Sequence, residues 1–305
     1  MANSITLRTQ MVPVLDYIYK EGSKTSVLDY NGVLVREGAD AKTVQIAKRA
    51  LQGLGDYARE NGGNGFVEGD VTMTWETHTF TNDRGRSFVI DNMDNAESAN
   101  TAFGSLSEQF IREFVAPEVD AIRFATMAAA DTYNVTNAAL TAATTKQAID
   151  DAIEAMDDNE VTETNRFLFV SNEVYNFMKN SSLFTYNLDA SAPEGINSTI
   201  PTYEGMPVIR VPKSRFVTQV TLQDGTTAGQ TAGGFVKTAT TGRDINFMIV
   251  QKDAVAPIIK HAVPRYFSPE VNQDGDSHKY QYRIYHDIFV LDNKVDGIYL
   301  HPKNS

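Results

Sequence analysis

The sequence contains no cysteine. That absence excludes thiol nucleophiles, cysteine-ligated zinc, iron–sulfur clusters and disulfide staples together. Basic residues are outnumbered, 27 against 39 acidic, which gives a formal net charge of −12. The cations are also scattered, as Lys48-Arg49, Arg84/Arg86 and Lys252/Lys260. Nucleic acid should therefore be repelled rather than gripped. No stretch approaches the ~18 apolar residues that a membrane-spanning helix needs. The opening "MANSITLRTQMVPVLDYIYK" lacks the basic start and apolar core of a secretion signal, so a chain made in the cytoplasm is expected.

Catalytic patterns are missing as well. There is no G-x-S-x-G, H-E-x-x-H, Walker-type phosphate loop or G-x-G-x-x-G. "GGNG" at 62–65 is not followed by the helix that a phosphate loop requires. His278 and His286 lie far apart on one predicted strand and cannot share a metal. Asp150/Asp151 and Asp157/Asp158 are neighbours on or after a helix and point different ways, which fits a solvated face better than acid–base chemistry. No cofactor, no metal and no enzymatic activity are expected.

What is present is organisation. At 305 residues the chain can fill about two packed units. Residues 1–55 carry apolar side chains without a strong period and read as an arm, and "GLGDYARENGGNGF" (53–66) reads as a hinge. "VEGDVTMTWETHTFTNDRGRSFVIDNMD" then predicts a hairpin over 66–93, turning at Asn82-Asp83-Arg84-Gly85. Both of its faces are only half apolar, so it needs a surface other than its own to lie on. Trp75 reads as a packing anchor, and Arg84 and Arg86 as cations seeking protein carboxylates.

A long helix is predicted next. Phe103, Leu106, Phe110 and Phe114 form an apolar stripe that continues through Val115, Val119, Ile122 and Thr126. Pro117 should kink or restart it. From about residue 143 the pattern becomes α/β: the helix "TTKQAIDDAIEAM", the buried strand "RFLFV", a helix capped by Ser171, the turn and strand "YEGMPVIRVP", a flexible Gly/Thr loop at 223–234 and the strand "INFMIV". "SHKYQYRIYHDIFVLDNKVDGIYLH" closes the chain as a long strand, interrupted at Asn293. The fold class expected is α+β.

The order of these parts, with "RSFVIDNMDNAES", "VAPEVDAIRFATMA", "NRFLFVSNEVYNFMKNSSLF", "EGMPVIRVPKSRF" and "YQYRIYHDIFVLDNKVDGIYLH", resembles the major capsid proteins of tailed bacteriophages, whose fold is named after phage Hong Kong 97. The resemblance implies an N-terminal arm (1–55), an extended-loop region (56–95, hairpin 66–93), a peripheral-domain spine helix (96–142), an axial domain (143–262) and peripheral-domain C-terminal strands (263–305). It further implies a loop lying on the neighbouring subunit, with Trp75, Phe80, Arg84, Gly85, Arg86 and Phe88 as subunit contacts. The chain would then assemble with itself into hexamers and pentamers, as a virion shell built in the host bacterial cytoplasm. That shell would enclose double-stranded DNA without sequence-specific binding and without a membrane. Separate scaffolding, portal and decoration proteins are the further partners implied. An encapsulin-like nanocompartment around an enzyme cargo is the alternative. Some members of the phage family seal the shell by a Lys–Asn bond starting in the loop. Residues 66–93 hold no lysine, so a non-covalent shell is expected.

Overall fold

The computed structural model describes residues 18–19, 22–29, 35–37, 40, 42–57, 59, 66–97, 106–135, 139–181, 183–188 and 199–303. The chain divides into two compact units, Gly32–Thr81 and the remainder.

The smaller unit is an antiparallel ribbon of β1 (Val35–Glu37), β2 (Thr43–Leu51) and β3 (Val71–Thr79), ordered β1-β2-β3. β2 and β3 pair along their whole length, from Thr43 opposite Thr79 to Leu51 opposite Val71. Their β-branched and aromatic residues suit a pleated surface. Of the Gly/Asn-rich segment read as a hinge (53–66), residues 53–57 follow β2 and residue 66 precedes β3 at the tip of this ribbon, while 58 and 60–65 lie outside the described residues.

The hairpin expected over 66–93 does not form as drawn. Asn82 to Gly85 are not a turn but the start of β4 (Asn82–Asp91), which pairs with β13 (Ser277–Val290) in a second sheet, ordered with β12 (Val255–Phe267) as β12-β13-β4. Cross-strand partners explain the choice. β13 sets Tyr280 opposite Phe88 and Ile284 opposite Arg84, whereas β3 offers threonines. Aromatic and aliphatic pairs are worth up to about 1 kcal/mol each. Gly85 is not there to turn the chain: a Cβ on it would lie 3.0 Å from the Tyr282 carbonyl oxygen, so the glycine permits close strand approach.

After α1 (Asn92–Glu97) comes the spine: α2 (Leu106–Phe110), a π-helical segment Ile111–Val115, and α3 (Ala116–Ala129). The π turn answers the proline. The Ala116 N–H bonds to the Ile111 carbonyl, five residues back, so the ladder changes register where Pro117 has no N–H to give. The same change moves the apolar stripe. Ile111, Val115, Val119 and Ile122 are buried, while Phe114 of the expected stripe is 54% exposed; Phe103 lies outside the described residues.

The spine serves two cores. Its first half packs Ile111, Val115 and Val119 against Tyr280, Tyr282 and Ile284 of β13. Its second half sends Phe124 and Met127 to a six-stranded sheet, with Phe124 edge-on to Phe169 at 5.2 Å. That sheet has the order β14-β11-β5-β8-β7-β6. Its strands are β5 (Arg166–Ser171), β6 (Thr185–Leu188), β7 (Thr199–Tyr203), β8 (Met206–Val211), β11 (Ile245–Gln251) and β14 (Ile298–Pro302). β11 is buried throughout. Its Phe247 and Ile249 face α4 (Thr145–Asp158) and α5 (Asn172–Asn180), and its Met248 and Val250 face the spine. Ser171 caps α5, accepting the Val174 N–H at 3.3 Å. The short pair β9 (Val220–Leu222) and β10 (Phe235–Lys237) closes the Gly/Thr loop at its base.

Candidate assembly surfaces

The ribbon presents the first surface. Near its base Val44, Ile46 and Phe80 are buried at 5%, 2% and 4% exposure. Towards the tip Leu51, Leu54, Tyr57, Phe66, Val67 and Val71 are all exposed, Leu54 completely. Acidic Asp56, Glu68 and Asp70 alternate with them. Trp75 stands opposite Ala47 with the Arg36 guanidinium 4.0 Å over its ring, a cation–π contact on the ribbon itself.

The second surface lies on the larger unit. β4, the spine, β13 and loop 223–234 enclose a cleft of about 180 Å³. Its apolar floor holds Phe88, Phe110, Phe114, Val115 and Tyr282, with Phe88 edge-on to Phe110 at 5.0 Å and Phe114 stacked on Phe110 at 5.9 Å. The two arginines form its wall. Arg84 Nε donates to Glu118 Oε1 at 2.7 Å, and its Nη2 to the carbonyls of Gln223 (2.8 Å) and Gly234 (3.2 Å). Arg86 Nη2 donates to the Thr231 carbonyl at 3.2 Å. Gly225, at φ +77°, lets the loop close on Arg86, because a Cβ there would sit 2.8 Å from Arg86 Nη1. Asp224 accepts from the Thr227 hydroxyl and from the Thr226 and Thr227 N–H groups, which together hold its carboxyl well below the usual range. The loop read as flexible is thus pinned at several points.

The predicted contact residues consequently fall into two groups. Trp75 and Phe80 belong to the ribbon; Arg84, Gly85, Arg86 and Phe88 belong to β4, and all but Gly85 spend their side chains on contacts within the larger unit.

Sequence reading missed a third feature, a buried ionic clasp. Asp120, with no exposure, accepts hydrogen bonds from Ser23 Oγ (2.7 Å), Thr25 Oγ1 (2.6 Å), the N–H groups of Lys24 (2.8 Å) and Thr25 (3.1 Å), and Arg215 Nη1 (2.9 Å). Arg123, equally buried, pairs with Asp29 at 2.9 Å and donates to Thr25 Oγ1 at 3.1 Å. Part of the segment read as an arm is therefore fastened to its own spine. Two opposite charges three residues apart inside an apolar stripe were the available signal.

Among the described residues no group of three His, Asp or Glu could hold a metal, and no helix is long and apolar enough to cross a membrane.

No protein-family model and no curated protein matches the chain. Solved structures do. The capsid structure of the cyanophage P-SCSP1u aligns with a TM-score of 0.54 at 12% identity, over 88% of this chain and 86% of that one. A chain of Gordonia phage Cozz aligns at 0.52 and 12% identity, over 92% and 86%. The virus-like particle from Pyrococcus furiosus aligns at 0.50 and 9% identity, over 94% and 97%. With its spine, its two sheets and its ribbon, this chain has the Hong Kong 97-like fold of tailed-bacteriophage capsid proteins.

Proposed function

We propose that the chain is the major capsid protein of a tailed bacteriophage or prophage, a structural rather than catalytic subunit. On this reading it assembles with itself, as hexamers and pentamers, into an icosahedral shell around double-stranded DNA. The observation that carries it is the ribbon, whose outer half displays a row of apolar side chains with no core of its own. A monomer does not gain by keeping such a row in water; a neighbouring subunit that covers it does. Obligate interfaces bury about 2,000–5,000 Å², which a ribbon of this length can supply. The net charge of −12 suits a container that must not bind its DNA tightly. On the ribbon Trp75 stays a proposed subunit contact, whereas Phe80 is buried within the chain itself and is withdrawn as one; Arg84, Gly85, Arg86 and Phe88 would act through the cleft they line. Separate scaffolding, portal and decoration proteins complete this reading, with the virion as the destination.

The alignment to nearly the whole Pyrococcus furiosus virus-like particle favours a second reading, an encapsulin-like compartment around an enzyme. The contents of purified particles separate the two. Nuclease-protected duplex DNA supports the phage reading, and a stoichiometric protein cargo without DNA supports the other.

A further inference from the structure

We propose that His286 is an acid-responsive strut that sets how firmly residues 22–29 are clasped to the spine. The inference stands apart from the shell reading, because every residue it uses lies in the larger unit.

His286 is fully buried on β13, between Asn82 of β4 and Ile259 of β12. It shares the spine-facing side of the strand with Tyr282, Ile284 and Ile288. Ile284 belongs to the apolar cluster around the first half of the spine and Ile288 to the cluster around the second half. The imidazole thus occupies the step between two cores. Among the described residues neither ring nitrogen has a hydrogen-bond partner.

The charges around it are mostly committed elsewhere. From the spine comes Arg123, whose Nη1 holds Thr25 and Asp29, together with Asp120, which is saturated by the 23–25 segment and Arg215. From β4 comes Arg84, paired with Glu118. β12 sets Ile259 opposite, with Lys260 next to it where the register shifts. Tyr285 and Asp287 alternate to the other side of β13. Burial first, then repulsion by Arg123 and Arg84, pushes the imidazole down to about 3.

A proton on His286 would place a third cation beside the guanidinium that holds Thr25 and Asp29. Water reaching Arg123 and His286 relieves the repulsion, and lifting residues 22–29 admits that water. The sign follows. The histidine binds its proton less readily when clasped than when open, so clasping is undiminished above about pH 6.5 and weakens as pH falls towards 3, by about tenfold per unit.

Native-state hydrogen exchange on the full chain tests this at the Lys24 and Thr25 amides, both bonded to Asp120. After correction for intrinsic exchange, opening should increase about sixteen-fold between pH 6.5 and 5, a window above the ordinary carboxylate range. The amide of Met248 in β11 should not follow it. His286→Gln should flatten the dependence, and His286→Phe, which keeps a ring without a titratable nitrogen, provides the same reading if the glutamine variant does not fold. A flat wild-type profile, an unchanged slope in the foldable variant, or parallel opening at Met248 would each overturn the proposal.

Discussion

Among the described residues are two three-stranded antiparallel sheets of similar build and opposite circumstance. β12-β13-β4 lays Tyr280, Tyr282 and Ile284 against the spine and buries them at 3%, 7% and 5% exposure. β1-β2-β3 buries side chains only near its base and leaves Leu51 and Val71 both 72% exposed. Local strand chemistry does not distinguish them. The difference lies in the covering surface: the chain itself supplies it for one sheet, and on the proposed reading neighbouring subunits supply it for the other. A segment whose stability is supplied from outside is an assembly element.

The largest effect should come from giving the ribbon tip charges it cannot bury. Leu54→Asp with Val67→Asp should abolish particles while the subunit keeps its urea midpoint, because both side chains are exposed in the single chain. Light scattering and urea unfolding, measured on the same sample, separate the two effects. An unassembled and unfolded product would equate the two sheets and remove the distinction.

Next comes the clasp. Asp120→Ala leaves partly buried Arg215 without its fully buried carboxylate partner and should cost about 3–5 kcal/mol, read by urea denaturation. Arg84→Met should cost less, about 1.5–3 kcal/mol, since one charged donor then leaves Glu118 and two loop carbonyls. Its signature is faster proteolysis within 223–234. Arg283→Ala removes an exposed, solvent-screened pair with Asp83 and should leave the urea midpoint essentially unchanged.

Most of the larger unit was legible in the sequence. Continuous apolar runs such as "RFLFV" and "INFMIV" have a single reading as buried strands, and Ser171 stands where a helix cap belongs. The ribbon was misread for a physical reason. β4 follows β3 after only Phe80 and Thr81 and opens on the turn-forming run Asn82-Asp83-Arg84-Gly85, so local rules favour pairing the two, while the true partners lie in β2 and almost two hundred residues on, in β13. Non-local pairing leaves no local signal. The error has a chemical consequence. The ribbon does contain a lysine, Lys48, opposite Thr74, so the absence of lysine from 66–93 does not by itself argue against covalent sealing. A non-covalent shell remains the expectation, and particles boiled in detergent should run as single chains of 33.7 kDa; a ladder joined through Lys48 would reverse it. The clasp was missed because its partners are nearly a hundred residues apart, though Asp120 and Arg123 in an apolar stripe marked the place.

The central claim is that this chain completes itself only in company. Mass measurement of the purified full-length protein by light scattering, with electron microscopy of the same fractions, tests it most directly. The account predicts closed shells or ring-shaped capsomers with the ribbon protected from protease. A 33.7 kDa monomer at every concentration and salt, with the ribbon equally protected, would contradict it.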